Sequence, residues 1–147
     1  CNAAYIYSRV RFEDGAPERD RPLAGQSPYL VNAGLFYQHD DKGISASLLY
    51  NRIGKRIESV GVPMQNESED IPDIYEMPRN SLDLTFSKKI GKFVEIKAGV
   101  QDLLNSKVEY KQFVKLTDEN GGKREREQLI RSYRPGVDIN VGVSLKF

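Results

Sequence analysis

Five carboxylates, Glu67, Glu69, Asp70, Asp73 and Glu76, crowd into one short stretch. Hard cations such as calcium need several carboxylate oxygens, so a cation site is one reading of this run. No calcium-loop spacing orders it, and it reads equally as a solvated acidic loop. Lys123-Arg124-Glu125-Arg126-Glu127 alternates in sign. That suits lipopolysaccharide phosphates or a partner lipoprotein, or a mobile loop in solvent. Arg52, Lys55 and Arg56 suit a phosphate or lipid headgroup, or interfacial snorkelling. Tyr5, Tyr7, Phe36 and Tyr75 offer rings that stack on a sugar or siderophore, or that anchor an interface.

Catalytic chemistry is harder to assemble. The single histidine, His39, has no nearby Ser or Cys to complete a triad. The single cysteine, Cys1, excludes an internal disulfide and a Cys-based zinc site. No phosphate-binding Gly loop, paired catalytic carboxylates or zinc spacing occurs. No catalytic, cofactor-binding or metal-ligating residue is assigned, and the expected role is binding and scaffolding without a cofactor. Cys1 would be a lipid-acylation site only at a mature N-terminus. A strand starting at residue 2 leaves it no tether, so it reads as a point of cutting.

The elements that must position these residues are strands. The chain has 147 residues, one domain's worth, with 22 Lys+Arg against 21 Asp+Glu and a net charge of +1. That balance argues against a nucleic-acid partner and against acidic disorder. Residues 136–147 alternate without a fault: Val137, Ile139, Val141, Val143, Leu145 and Phe147 on one face, Asp138, Asn140, Gly142, Ser144 and Lys146 on the other. Period two with one apolar face is the mark of a β-strand. Residues 94–101, 81–87, 44–51 and 31–38 share the habit, with Leu49 and Phe36 as exceptions, and residues 2–12 show it weakly. No helix of convincing length appears.

The six expected strands are joined by connections that alternate long, short, long, short, long: about 13–27, 39–42, 56–77, 90–92 and 105–135. Such alternation is typical of outer-membrane barrels. Antiparallel neighbours must keep their apolar sets on one face. The turn near Gly91-Lys92 is therefore expected to hold an odd number of residues; three would pair Phe86 with Ile96, and five would pair Asp83 with Lys97. The turn near Asp40 is expected to be even, pairing Leu35 with Ala46. An apolar face of this kind is either the core of a soluble sandwich or the lipid side of a barrel. The small polar residues of the other face suit a wet lumen. Tyr5, Tyr7, Tyr29, Tyr37, Tyr50, Phe93 and Phe147, near strand ends, suit an aromatic girdle.

Three stretches carry a resemblance. Arg21-Pro22-Leu23-Ala24-Gly25-Gln26-Ser27-Pro28-Tyr29-Leu30-Val31-Asn32-Ala33-Gly34-Leu35 resembles a recurrent motif of TonB-dependent outer-membrane receptors of the Bacteroidetes type, carried here by Arg21, Pro22, Gly25, Gln26, Pro28 and Asn32. Tyr50-Asn51-Arg52-Ile53-Gly54-Lys55-Arg56-Ile57, with Val60-Gly61, resembles the next strand and its exit. Asp73 to Leu84, followed by Gly99-Val100-Gln101-Asp102-Leu103-Leu104-Asn105, resembles the penultimate hairpin. Val143, Leu145 and Phe147 resemble the C-terminal signal read by the barrel-assembly machinery.

The resemblance implies an antiparallel transmembrane β-barrel of 22 strands, of which residues 1–147 would be the C-terminal portion, about the last six strands, without the plug domain. It implies TonB-dependent nutrient uptake, of the siderophore, cobalamin or glycan class, in the outer membrane of a Gram-negative cell with the C-terminus in the periplasm. The implied partners are the rest of the barrel and its plug, the TonB complex through that plug, the barrel-assembly machinery, outer-membrane lipid and a surface lipoprotein. A small soluble sandwich or an oligomeric barrel used as a binding module is the alternative.

Overall fold

The computed structural model describes residues 1–11, 21–62, 64, 70–117 and 122–145. It is an antiparallel all-β molecule of two sheets. The larger sheet is a six-stranded meander of β1 (Asn2–Tyr5), β2 (Tyr29–His39), β3 (Ile44–Ile53), β6 (Arg79–Ile90), β7 (Val94–Gln101) and β10 (Asp138–Leu145), in that spatial order. The smaller sheet has the order β4 (Arg56–Ser59), β5 (Ile74–Glu76), β8 (Val108–Thr117), β9 (Lys123–Tyr133). Among the described residues β1 and β10 do not pair, so the larger sheet is open and no closed barrel is seen.

The six expected strands are the six strands of the larger sheet. β1 is shorter than residues 2–12; beyond it Ile6 N–H donates to Pro28 O and Val10 bridges to Arg21. The two long stretches read as loops, 56–77 and 105–135, instead carry β4, β5, β8 and β9. The Lys123–Glu127 run is likewise part of β9, not a loop in solvent.

Both turns have the expected parity. Residues 40–43 form an even loop between His39 and Ile44, and 91–93 an odd one between Ile90 and Val94. The register of each differs from expectation by two residues: Leu35 faces Leu48, not Ala46, and Phe86 faces Ala98, not Ile96. Asp83 does not reach Lys97, which lies opposite Ser87. A glycine sets each turn in the left-handed region, Gly43 at φ 59° and Gly91 at φ 60°, where other residues are strained.

With these registers one face collects Val31, Leu35, Leu48, Leu82, Leu84, Phe86, Ile96, Val100, Ile139, Val141 and Val143. The other carries a cross-strand polar ladder. Asn51 donates to Asn32, Ser45 and Ser87 hydroxyls lie 2.6 Å apart, and Ser47 and Thr85 hydroxyls 2.5 Å. The two exceptions form one spot there: Phe36 and Leu49 close over Gly34, where an added Cβ would sit 3.0 Å from each.

The smaller sheet continues the larger. Ile53 faces Arg79 and, three residues on, Arg56 faces Glu76 in the same register, so alternate side chains keep their faces. The joint depends on close backbone approach. Gly54 N–H donates to Tyr29 O at 3.1 Å, and a Cβ at Gly54 would lie 2.6 Å from the Tyr29 ring and 2.8 Å from Ser27 Oγ. Gly54→Ala is therefore expected to destabilise the fold by about 1–3 kcal/mol through overpacking. Gly142→Ala, where a Cβ meets nothing within 4 Å, is expected to be near neutral. Urea midpoints of the two variants in detergent check this difference.

Candidate functional site

The three motif stretches meet at the joint between the sheets. The first makes a turn at 24–25 with Gly25 at φ 77°, and Gly25 N–H donates to Ile57 O at 2.7 Å. Ser27 Oγ donates to Tyr29 O at 2.7 Å, and Pro28 O accepts from Ile6 N–H at 2.9 Å. Asn32 lies opposite Asn51. Of the six motif residues, Gly25, Pro28 and Asn32 thus bind strands together, and Arg21 and Pro22 line a cavity. Gln26 buries its Oε1 without a hydrogen-bond partner among the described residues.

The third stretch fastens the far side. Asp102 and Asn105 sit at φ 50° and 43°, a region that Asp and Asn tolerate better than most residues. Asp102 N–H donates to Asp83 Oδ1 at 2.9 Å, and its carboxylate lies 3.6 Å from Arg79. Asn105 Oδ1 accepts from Gly136 N–H at 3.0 Å, and its backbone carbonyl accepts from Arg134 at 2.9 Å. This clasp turns β7 into β8 and β9 into β10.

Between the two fastenings, on the continuation of the polar face, lies a cavity of about 290 Å³ lined by Arg21, Lys55, Asp73, Tyr75, Phe113 and Glu125 among others. Tyr75 and Phe113 meet edge to face, with ring centres 5.7 Å apart. The Lys55 ammonium lies 4.0 Å from the first ring centre and 3.8 Å from the second. Cation–π attraction helps to hold it there. Burial lowers the Lys55 pKa from its ordinary value, opposed by the charges of Glu125 and Glu127. Burial, with Asp73 alongside, raises that of Tyr75. Lys111 bonds Glu127 at 2.6 Å, which raises its pKa. The site is a mixed-charge aromatic pocket able to hold a polar ring-bearing ligand.

The other candidates are dispersed. Arg52, Lys55 and Arg56 do not converge. Strand alternation sends Lys55 into the pocket and Arg56 to Glu76, at 2.9 and 2.6 Å, while Arg52 reaches Asn80 at 3.2 Å. Tyr5 and Tyr7 are exposed, Phe36 lies over Gly34, and Tyr75 is in the pocket, so the four rings form no common platform. His39 Nδ1 accepts from Lys42 N–H at 3.4 Å within its turn, and Cys1 is exposed. Glu67 and Glu69 lie outside the described residues, as does Phe147. Asp73 accepts from Gly61 N–H at 2.8 Å and Asp70 from Met64 N–H at 2.8 Å, so these carboxylates shape the loop. Val143 and Leu145 are on the exposed apolar face. Sequence reasoning missed Phe113 and Lys111; the signal that could have found their strand is the alternation of Val108, Tyr110, Val114 and Leu116 with Glu109, Lys111 and Lys115.

No family model, curated protein or solved structure matches the chain.

The pocket makes stability pH-dependent. A lysine with a depressed native pKa sheds its proton in the folded state first, so Lys55 adds stability as pH rises through that pKa toward 10.5. Tyr75 keeps its proton longer when folded and removes stability above pH 10. Lys55→Met is expected to flatten the rise below pH 10.5 and Tyr75→Phe the fall above pH 10, measured by urea unfolding across that range.

Proposed function

We propose that this chain is wall and outer rim of an outer-membrane β-barrel, the C-terminal part of a TonB-dependent receptor that imports a scarce nutrient of the siderophore, cobalamin or glycan class. The observation that carries the reading is the uncovered apolar face of the larger sheet. Leu35 is 72%, Ile139 71% and Val141 71% exposed, all on the same face of the meander. Soluble monomers rarely leave such a patch open. Lipid on one side and water on the other match a sheet with one apolar and one polar face.

Dimensions and girdle agree. β6 has 12 residues. At about 3.3 Å per residue and a tilt near 40° it rises about 28 Å, the thickness of a hydrocarbon core. On the apolar side the outer rim is hydrogen-bonded: Tyr50 and Arg52 both donate to Asn80, at 2.9 and 3.2 Å, and Arg52 reaches the Tyr29 hydroxyl at 3.5 Å. Tyr37 and Phe93 lie at the opposite, turn end. In this reading the open edges β1 and β10 pair with further strands of the barrel, and the Phe36–Leu49 spot faces the plug. TonB acts through that plug, the barrel-assembly machinery reads Val143, Leu145 and Phe147, and a surface lipoprotein covers the mouth. The pocket around Lys55 lies at the mouth of the lumen and contributes binding, not catalysis.

An environment-sensitive dye on a cysteine at Val141 or at Asn140 tests the wall. In the polypeptide that carries these strands, the dye at 141 is expected to be quenched by brominated lipid, and the dye at 140 by aqueous iodide. Val141→Arg is expected to cost about 2–4 kcal/mol and Asn140→Arg little. Equal access of iodide to both positions would overturn the wall and leave a soluble or oligomeric module. The receptor part predicts a polypeptide several times longer than 147 residues in outer-membrane fractions.

A further inference from the structure

We infer that Arg124, Arg126 and Arg131 of β9 form a docking strip for a phosphorylated glycolipid of the outer leaflet; this rests on the wall reading above. The sign alternation of Lys123-Arg124-Glu125-Arg126-Glu127 becomes a sorting of charge once the segment is a strand. Glu125 and Glu127 turn to the pocket face, where they act on Lys55, and Glu127 bonds Lys111 at 2.6 Å. The arginines turn to the opposite face.

That face continues the apolar one. The unbroken register from β3–β6 into β4–β5 keeps Arg56 and Glu76 on the side of Tyr50, Arg52 and Leu82. Glu76 faces Tyr110, and Tyr110 faces Arg131; farther out, Val114 faces Arg126 and Leu116 faces Arg124. Glu76, on the same face, is held by Arg56 at 2.6 Å. Arg131 is pre-ordered, its guanidinium 4.2 Å from the Tyr110 ring centre and 5.6 Å from that of Tyr133. A guanidinium presents a planar fork that matches phosphate oxygens, and less entropy is lost when the fork is already stacked.

The height of the strip identifies the occupant. Arg131 to Arg124 spans about 20 Å of strand, whereas a phospholipid headgroup layer is only about 5–8 Å deep on each side. A phospholipid phosphate reaches the lower end alone. A lipid that bears phosphates on an extended sugar headgroup reaches the whole strip.

The test uses the polypeptide that carries these strands, purified in a zwitterionic detergent, with lipopolysaccharide of phosphorylated core and the same lipid stripped of phosphate as probes. Binding of the phosphorylated form is expected to be tighter, to weaken with salt, and to fall roughly tenfold in Arg124→Gln/Arg126→Gln. That pair avoids Arg131, which also covers Tyr110. Equal binding of the two lipids, or binding undiminished in the variant, would overturn the strip while the dye experiment still reports a lipid-facing wall. Loss of the lipid signal at Val141 would instead remove the wall and the strip together.

Discussion

The constraint on which the structure depends is parity. In a meander every strand must deliver its apolar residues to the same side, and a slip of one residue anywhere moves a whole strand's set to the wrong face. The four-residue loop after His39 and the three-residue loop after Ile90 satisfy this rule, one even and one odd, because the alternation is phased differently in the strands they join. Leu35, Leu48, Leu84 and Val100 then fall in one row across four strands. The same rule governs the second sheet, whose register with the first is unbroken between β3–β6 and β4–β5. A side chain's number decides whether it meets the pocket or the opposite face. That is why Lys55 and Arg56, adjacent in sequence, have unrelated partners.

Much of this was legible beforehand, and what was not has a definite cause. The six strands of the larger sheet, their order and the parity of their turns follow from hydropathy alternation; the four strands of the smaller sheet were missed. Register does not, because a period of two is blind to a shift of two. The two turns are fixed instead by the residue placed in the left-handed region, and Gly43 and Gly91 each set the loop one step later than the pattern alone suggested. β9 escaped because both its faces are polar: its alternation is of charge sign, which leaves no hydropathy period. The pocket escaped because it draws Arg21, Lys55, Asp73 and Phe113 from separate segments, brought together by the pairings of β4, β5 and β8.

The three resemblance stretches, read as motifs, are most intelligible as joinery. Gly25 against Ile57, Gly54 against Tyr29, and Asn105 against Gly136 all lie where a strand leaves the larger sheet and enters the smaller one. At such a joint the backbone polar groups lose their ladder partners and must be satisfied locally. Glycine permits close approach, and Asp102 and Asn105 supply both a tolerated left-handed backbone and groups that reach neighbouring amides.

The distribution of burial bears on what surrounds each sheet. The described hydrophobic residues that are fully buried are Ile57, Val108 and Tyr110, at 2%, 4% and 8% exposure, and all three belong to the smaller sheet. Among the described residues the larger sheet, with far more apolar side chains, buries none of them. A sheet standing in water has to cover its own apolar atoms, and the smaller one does so with Arg131 laid over Tyr110 and the 21–28 segment drawn against β4. A sheet whose apolar face meets hydrocarbon has no such need, since the surrounding tails are as apolar as its own side chains. On the proposed wall reading, this contrast puts the change of solvent at the joint, at the row of Tyr29, Tyr50, Arg52 and Asn80, whose rings and polar groups suit such a boundary.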